Sequence, residues 1–242
     1  MIHKTKGIVL HSTRYGESSL IVHCYTEQFG RQSLMVKGVR RSRKNNRSNL
    51  FQPLFILDLE VYHKNTRDIQ LVKEVSRAIP LNSIPFEITK STQAIFIAEI
   101  LYRVVKEEES NPVLAQFLIN SIQYLDALEE PSPDFHIIFL FLLSKHLGFY
   151  PQNNYGEINK FFDLASGLFK SQMGDPDFCL DESSSLLWSH YIKLDYQSIT
   201  DTELSSLHRK NLLNNLVRYY KFHVEGMGDI RSLAVLHDFF HN

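Results

Sequence analysis

Six of the fifteen residues from Val36 to Leu50 are basic: Lys37, Arg40, Arg41, Arg43, Lys44 and Arg47. None of the fifteen is acidic. Cations at this density can neutralise several phosphates, and the counterions they release make such binding steeply salt-dependent. Gly38, Asn45, Asn46 and Ser48 keep the stretch pliable enough to follow a backbone. Tyr15, Phe29, Phe51 and Tyr62 are close enough in sequence to offer rings for base stacking, although Phe51, like Phe55, also suits an apolar core. Arg14 and Arg31, at neighbouring turns, can extend the patch. Composition alone leaves two readings open, a polyanion site and a solvated loop that serves solubility.

Other chemistry finds little support. The chain contains no G-x-x-x-x-G-K-[ST] phosphate loop, no G-x-G-x-x-G turn, no H-E-x-x-H metal pair and no G-x-S-x-G nucleophile elbow. Asp58 and Glu60 share one face of a strand pattern, where acids are ordinarily just solvated. His237 and His241 stand four apart near the C-terminus and read as a solvated pair rather than metal ligands. Cys24 and Cys179 are isolated, so neither a disulfide framework nor a thiolate metal site is expected, which fits a reducing cytoplasm. The start of the chain does not read as a signal peptide. The longest apolar run, Ile137–Leu143, is far below the roughly 20 residues of a membrane span. A non-catalytic, cytoplasmic protein with no membrane contact is the expectation.

The elements that would carry the basic segment follow from periodicity. Alternating or short apolar stretches at Gly7–Thr13, Leu20–Tyr25, Gln32–Val39, Leu57–Tyr62 and Ile69–Val75 predict five strands. Five short strands can close into a barrel, of OB-fold or SH3-like type, with the OB-fold favoured. Beyond Pro80 and Pro85 the pattern turns helical. Ile97, Ile100, Leu101, Val104 and Val105 make one stripe, and Leu114, Phe117, Leu118, Ser121, Leu125 and Leu128 a second, started by Asn111-Pro112. Phe135–Leu147 is apolar nearly all round and predicts a buried central helix. Residues 148–185 look irregular, and helical spacing returns at Leu186–Ile192 and Leu204–Val224. The expected organisation is α+β in two domains: a five-stranded OB-fold barrel over residues 1–80, then a mostly α-helical domain over 81–242 with an irregular insertion near 148–185. Charge divides along the same line. Residues 1–80 hold 14 basic and 6 acidic side chains, whereas 81–242 hold 12 and 21, within a chain of net charge -1. A basic front domain can attract nucleic acid although the pI is near neutral.

The first strand G-I-V-L, the turn R-Y-G-E-S-S-L-I, the hairpin F-G-R, then K-G-V-R-R and F-Q-P-L, all in this order within the first 80 residues, resemble the RecO family of bacterial recombination mediators. The likeness is looser over 81–242, resting on the helical layout and on L-G-F-Y-P at Leu147–Pro151. The resemblance implies an OB-fold packed on a helical domain. It also implies binding of single- and double-stranded DNA, annealing of complementary strands and, with RecR, loading of RecA onto DNA coated by single-strand-binding protein, at the nucleoid. Lys37, Arg40 and Arg41 match the family's K-G-x-R-R region, Arg43, Lys44 and Arg47 lie in the more variable loop after it, and Arg14 and Arg31 match two turn positions. The acidic, apolar tail of single-strand-binding protein would need a groove with a basic rim, for which Arg103 and Lys106 are candidates. Many family members carry a four-cysteine zinc site after L-G-F-x-P. Here only Cys179 falls in that segment, so no zinc and no other cofactor is expected, and Phe161, Phe162, Leu164, Leu168 and Phe169 must hold the segment by packing. The alternative is an OB-fold adaptor that binds protein and leaves DNA alone.

Overall fold

In the computed structural model, which describes residues 1–39, 47–201 and 204–241, the period-2 stretches pair into a closed barrel. Its strands are β1 (Ile2–Tyr15), β2 (Ser19–Thr26), β3 (Gly30–Val36), β4 (Ile56–Tyr62) and β5 (Ile69–Ile79), in the order β1-β2-β3-β5-β4. Every ladder is antiparallel except β3–β5. This is an OB-fold-like closure. Strand β1 is longer than its apolar stretch suggests because it serves two neighbours: Ile2–Ile8 pair with β4, and Gly7–Tyr15 with β2. A register shift between Val9 and His11 bends it between those tasks. In β3 the alternation is complete, with Gly30, Gln32, Leu34 and Val36 buried and the residues between them half-exposed. Val22, Cys24, Leu34, Leu57, Leu59 and Val61 fill the barrel.

Two compact units emerge, one of Met1–Glu129 with Ile230–Leu233, the other of Glu130–Asp229 with the chain from Ala234 on. Besides the barrel, the first holds α1 (Ile88–Val104) and α2 (Pro112–Ala127). Helix α2 starts as its sequence dictates: the Asn111 side chain accepts from the Leu114 N–H at 3.0 Å, and Pro112 needs no partner in the first turn. Helix α1 begins nine residues ahead of its apolar stripe, because its first turns bury polar side chains. Lys90 is 0% exposed. Its ammonium donates to Ser83 Oγ at 2.7 Å, to Asp126 O at 3.2 Å and to Leu128 O. The Asp126 carboxylate in turn accepts the N–H groups of Asn82, Ser83 and Ile84 at 2.8–2.9 Å. A buried ammonium is tolerated only when its protons are matched in this way.

The second unit is built around α3 (Phe135–His146), buried on nearly all sides, with α4 (Glu182–Tyr191) and α5 (Ser206–His223) packed in the same unit. The helix α6 (Ser232–His241) ends the described chain. The segment read as irregular contains a small hairpin, β6 (Phe161–Asp163) with β7 (Leu168–Lys170), extended by a bridge from Asp163 to Cys179. Metal ligation does not fit here. Cys179 is buried with its Sγ 3.7 Å from Leu180 O, and among the described residues no group of three or more His, Cys, Asp or Glu could hold an ion. Rings do the anchoring. Phe162 packs 4.8 Å from Trp188, 4.9 Å from Phe169 and 5.8 Å from Tyr219, and Trp188 lies 5.0 Å from Phe141 of α3. Phe162, Leu164 and Phe169 are buried, while Phe161 and Leu168 are half-exposed. Truncating a fully buried Phe of this kind costs about 3–5 kcal/mol. Phe162→Ala should therefore lower the melting temperature markedly, whereas a strong chelator should leave the wild-type curve in place. A chelator-induced drop would contradict anchoring by packing.

Candidate nucleic-acid interface

Register decides which cations meet. Arg14 pairs with Leu20 across β1–β2, and Leu20 with Val36 across β2–β3. Arg14 and Lys37 therefore occupy the same end of the barrel. Gly38 takes a positive φ of 70° there, a turn that glycine adopts at no steric cost. The chain then departs and returns at a single point, where the Arg47 N–H donates to Val39 O at 3.1 Å. Arg47 opens a 3-10 turn (Arg47–Phe51) that inserts the buried Phe51 beneath it and accepts, at Phe51 O, the Ser12 hydroxyl at 3.4 Å. Arg14, Lys37 and Arg47 are exposed, and none forms an ion pair among the described residues. Arg40, Arg41, Arg43 and Lys44 lie outside the described residues.

Arg31 belongs elsewhere. It faces Tyr25 across β2–β3, five residues or roughly 17 Å from Val36 along the strand. Its guanidinium donates to the carbonyls of Tyr102 at 3.0 Å and Val105 at 3.3 Å and lies 4.2 Å over the Tyr102 ring. A cation at these carbonyls satisfies the C-terminal end of α1, where the helix dipole is negative. Burial lowers its pKa, against which the neighbouring Tyr102 works. The backbone reinforces the joint: Arg31 N–H donates to Glu107 O at 2.8 Å and Ser110 Oγ to Glu27 O at 2.7 Å. A side chain on Gly30 would stand 2.4 Å from the Glu107 and Glu109 carbonyls, so only glycine allows this approach.

Two histidines complete that face. His11 and His23 stack at 6.1 Å, each close to the Tyr102 ring, and His23 Nδ1 lies 3.0 Å from Ser33 Oγ. Burial, then the Arg31 charge, then His11 bring the His23 pKa down to about 4. Arg103 is half-buried with its Nε lacking a hydrogen-bond partner, while Lys106 is exposed just beyond α1 and precedes Glu107, Glu108 and Glu109. Arg103 adds to the field on Glu99, whose carboxylate accepts the Arg231 and Ser232 N–H groups and the Ser232 hydroxyl at 2.6–3.0 Å. Burial opposes the Glu99 charge, but these donors and Arg103 outweigh it and hold the carboxyl below its ordinary value.

A feature the sequence pattern did not disclose adjoins the exposed cations. The β4–β5 ladder slips between Glu60↔Glu74 and Val61↔Val72, leaving Lys73 as the extra residue of a bulge at the barrel rim. Lys73 joins Lys37 and Arg47 around a cleft of about 370 Å³. No alternation rule predicts a bulge, so its only sequence signal was a basic residue in a strand.

Comparison with known proteins places this geometry. Residues 1–78 match the family described as Recombination protein O N terminal, and residues 85–233 match Recombination protein O C terminal. The chain belongs to the RecO family. Among curated relatives, a protein named DNA repair protein RecO from Flavobacterium psychrophilum is 37% identical over 238 residues, 98% of each chain. Those of the same name from Azobacteroides pseudotrichonymphae and Bacteroides fragilis are each 33% identical, over 99% of this chain and all of theirs. The RecO N-terminal match spans the barrel, and the exposed Arg14, Lys37 and Arg47 all fall within it.

The His23 environment sets a pH dependence in this RecO-family barrel. Its folded pKa of about 4 lies below the ordinary value of 6.5, so between those values the unfolded chain holds more protons than the folded one. The stabilisation is complete above about pH 6.5 and is lost as pH falls towards 4. Melting temperature should decline through that window, and His23→Gln should make the decline shallower.

Proposed function

We propose that this protein acts in DNA repair and homologous recombination as a mediator. It binds single- and double-stranded DNA at the basic end of the barrel, anneals complementary strands and, with RecR, helps load RecA onto DNA coated by single-strand-binding protein. The observation that carries the reading is the cluster of exposed Arg14, Lys37 and Arg47. The segment bearing Arg40, Arg41, Arg43 and Lys44 in sequence starts and ends at the Val39–Arg47 hydrogen bond beside them. The RecO-family match and the name DNA repair protein RecO among its relatives support the same assignment.

No bond is made or broken in this mechanism. Mutual repulsion between phosphates resists the approach of two strands, and the cations at the barrel end screen it and release counterions on binding. Partner proteins, RecR and the acidic tail of single-strand-binding protein, fall to the chain beyond residue 80, whose excess of acidic side chains does not attract DNA at long range. Arg103 and Lys106 stay the proposed contacts for that tail. Arg31 serves DNA indirectly, by fixing α1 against the β2–β3 hairpin.

Titration of a fluorescent single strand at several salt concentrations tests the proposal. Affinity should fall steeply with salt, and reversing the charges of Lys37 and Arg47 should flatten the slope by about 0.7 for each phosphate no longer neutralised. Arg31→Ala should instead lower stability, by about 1–3 kcal/mol for its charge-assisted hydrogen bonds, with the slope of the folded protein unchanged. Weak binding without salt dependence would leave a protein-binding adaptor in place of a DNA mediator.

A further inference from the structure

The β3–β5 ladder comprises three pairs, Ser33↔Ile69, Leu34↔Gln70 and Met35↔Leu71. Strand β5 continues to Ile79 but, past Leu71, has a strand partner only on its β4 side among the described residues. Among the described residues the sheet therefore leaves an open backbone edge. The cleft of about 370 Å³ lies along it, a volume within the roughly 300–1,000 Å³ typical of small-ligand sites. Its floor is apolar, from Val39, Phe51 and Val72, each less than a tenth exposed. Its rim carries the cations Lys37, Arg47 and Lys73 and the exposed carboxylate of Glu74. The Lys73 ammonium lies 2.8 Å from Glu60 and 3.8 Å from Glu74, which leaves Lys37 and Arg47 as the rim cations that no described carboxylate neutralises.

An apolar floor flanked by Lys37 and Arg47, which no described carboxylate neutralises, suits a ligand that is flat and apolar at its centre and anionic at its flanks. A nucleotide within a single strand has this form, since its base can lie on the floor while the phosphates on either side reach the rim. A base within a duplex is stacked between its neighbours and paired, so only its phosphates are available. We propose that this cleft takes an unpaired nucleobase and thereby distinguishes single-stranded from duplex nucleic acid. The inference rests on the nucleic-acid reading above and adds to it a site for the base. Phosphate contacts alone bind both forms, whereas a base site favours the open strand, and annealing then withdraws the base and weakens the protein's hold on its product.

A strand without bases isolates the contribution. Wild-type protein is titrated with a fluorescent single-stranded oligonucleotide, with an abasic strand of equal length, and with the duplex, at one salt concentration. The base-bearing strand should bind at least about fivefold more tightly than the abasic strand, a difference that removing roughly 40 Å² of apolar surface from water supplies. Val75→Gln, which adds no charge at a half-buried position on the cleft wall, should sharply reduce that difference and leave duplex affinity within about twofold. Equal affinities for base-bearing and abasic strands in the wild type would overturn the base site and leave salt-dependent phosphate binding standing. Displacement of both strands alike by an acidic, apolar peptide would overturn it in favour of a peptide added to the β5 edge. Absence of salt-dependent binding to any strand would remove the nucleic-acid reading itself.

Discussion

The barrel closes through three parallel residue pairs, and much of the first unit follows from how short that closure is. Strand β3 ends at Val36, whereas β5 runs on to Ile79. The chain leaving β3 must still reach Ile56, where β4 begins. It does so with a left-handed Gly38, a 3-10 turn and a left-handed Leu54 at φ 64°. Leu54 is fully buried and its N–H donates to Val9 O at 2.8 Å, so packing and a hydrogen bond compensate a conformation that a branched side chain disfavours. The exposed Lys37 and Arg47 flank an edge that is unpaired among the described residues, and cations at such an edge discourage another chain from adding to it.

Arg31 shows why a count of cations is a poor guide to a binding surface. It has the same chemistry as Arg14 and comes from an adjacent hairpin, yet its fork of donors faces two helix carbonyls and its plane lies on Tyr102. Withdrawing a guanidinium from water is costly unless its donors are met, and the end of α1 supplies acceptors that would otherwise lack partners. The consequence reaches the barrel: Gly30, Glu107 and Ser110 meet at the same joint. The β2–β3 turn is thus committed to architecture, whereas Arg14 at the β1–β2 turn and Lys37 at the β3 exit are exposed.

What the sequence could disclose depended on the range of the interaction. The five strands were legible because each carries a short apolar or alternating stretch, complete only in β3, and the basic segment because composition is local. Asn111-Pro112 announced α2 because a cap is built from neighbours. The start of α1 was hidden: Lys90 looks like a solvated residue until Asp126 and Leu128, more than thirty-five positions away, bring it their carbonyls. The β6–β7 hairpin was hidden because three-residue strands are too short for any period to register. Arg31 and the cleft are products of register, one set by where α1 ends and the other by where β3 stops pairing.

The second unit solves a problem of small irregular segments without ion or thiolate. Four metal ligands would hold the hairpin at one point, whereas its rings spread the load over three helices. Phe162 touches Trp188 of α4 and Tyr219 of α5, and Trp188 touches Phe141 of α3. The tyrosines also settle their hydroxyls on backbone, as Tyr220 does by donating to Leu140 O at 2.6 Å. Ring packing carries no net charge and is weakly affected by salt or chelators. The two units thus answer to different variables. A change in ionic strength screens the exposed cations of the first unit while the core of the second stays packed.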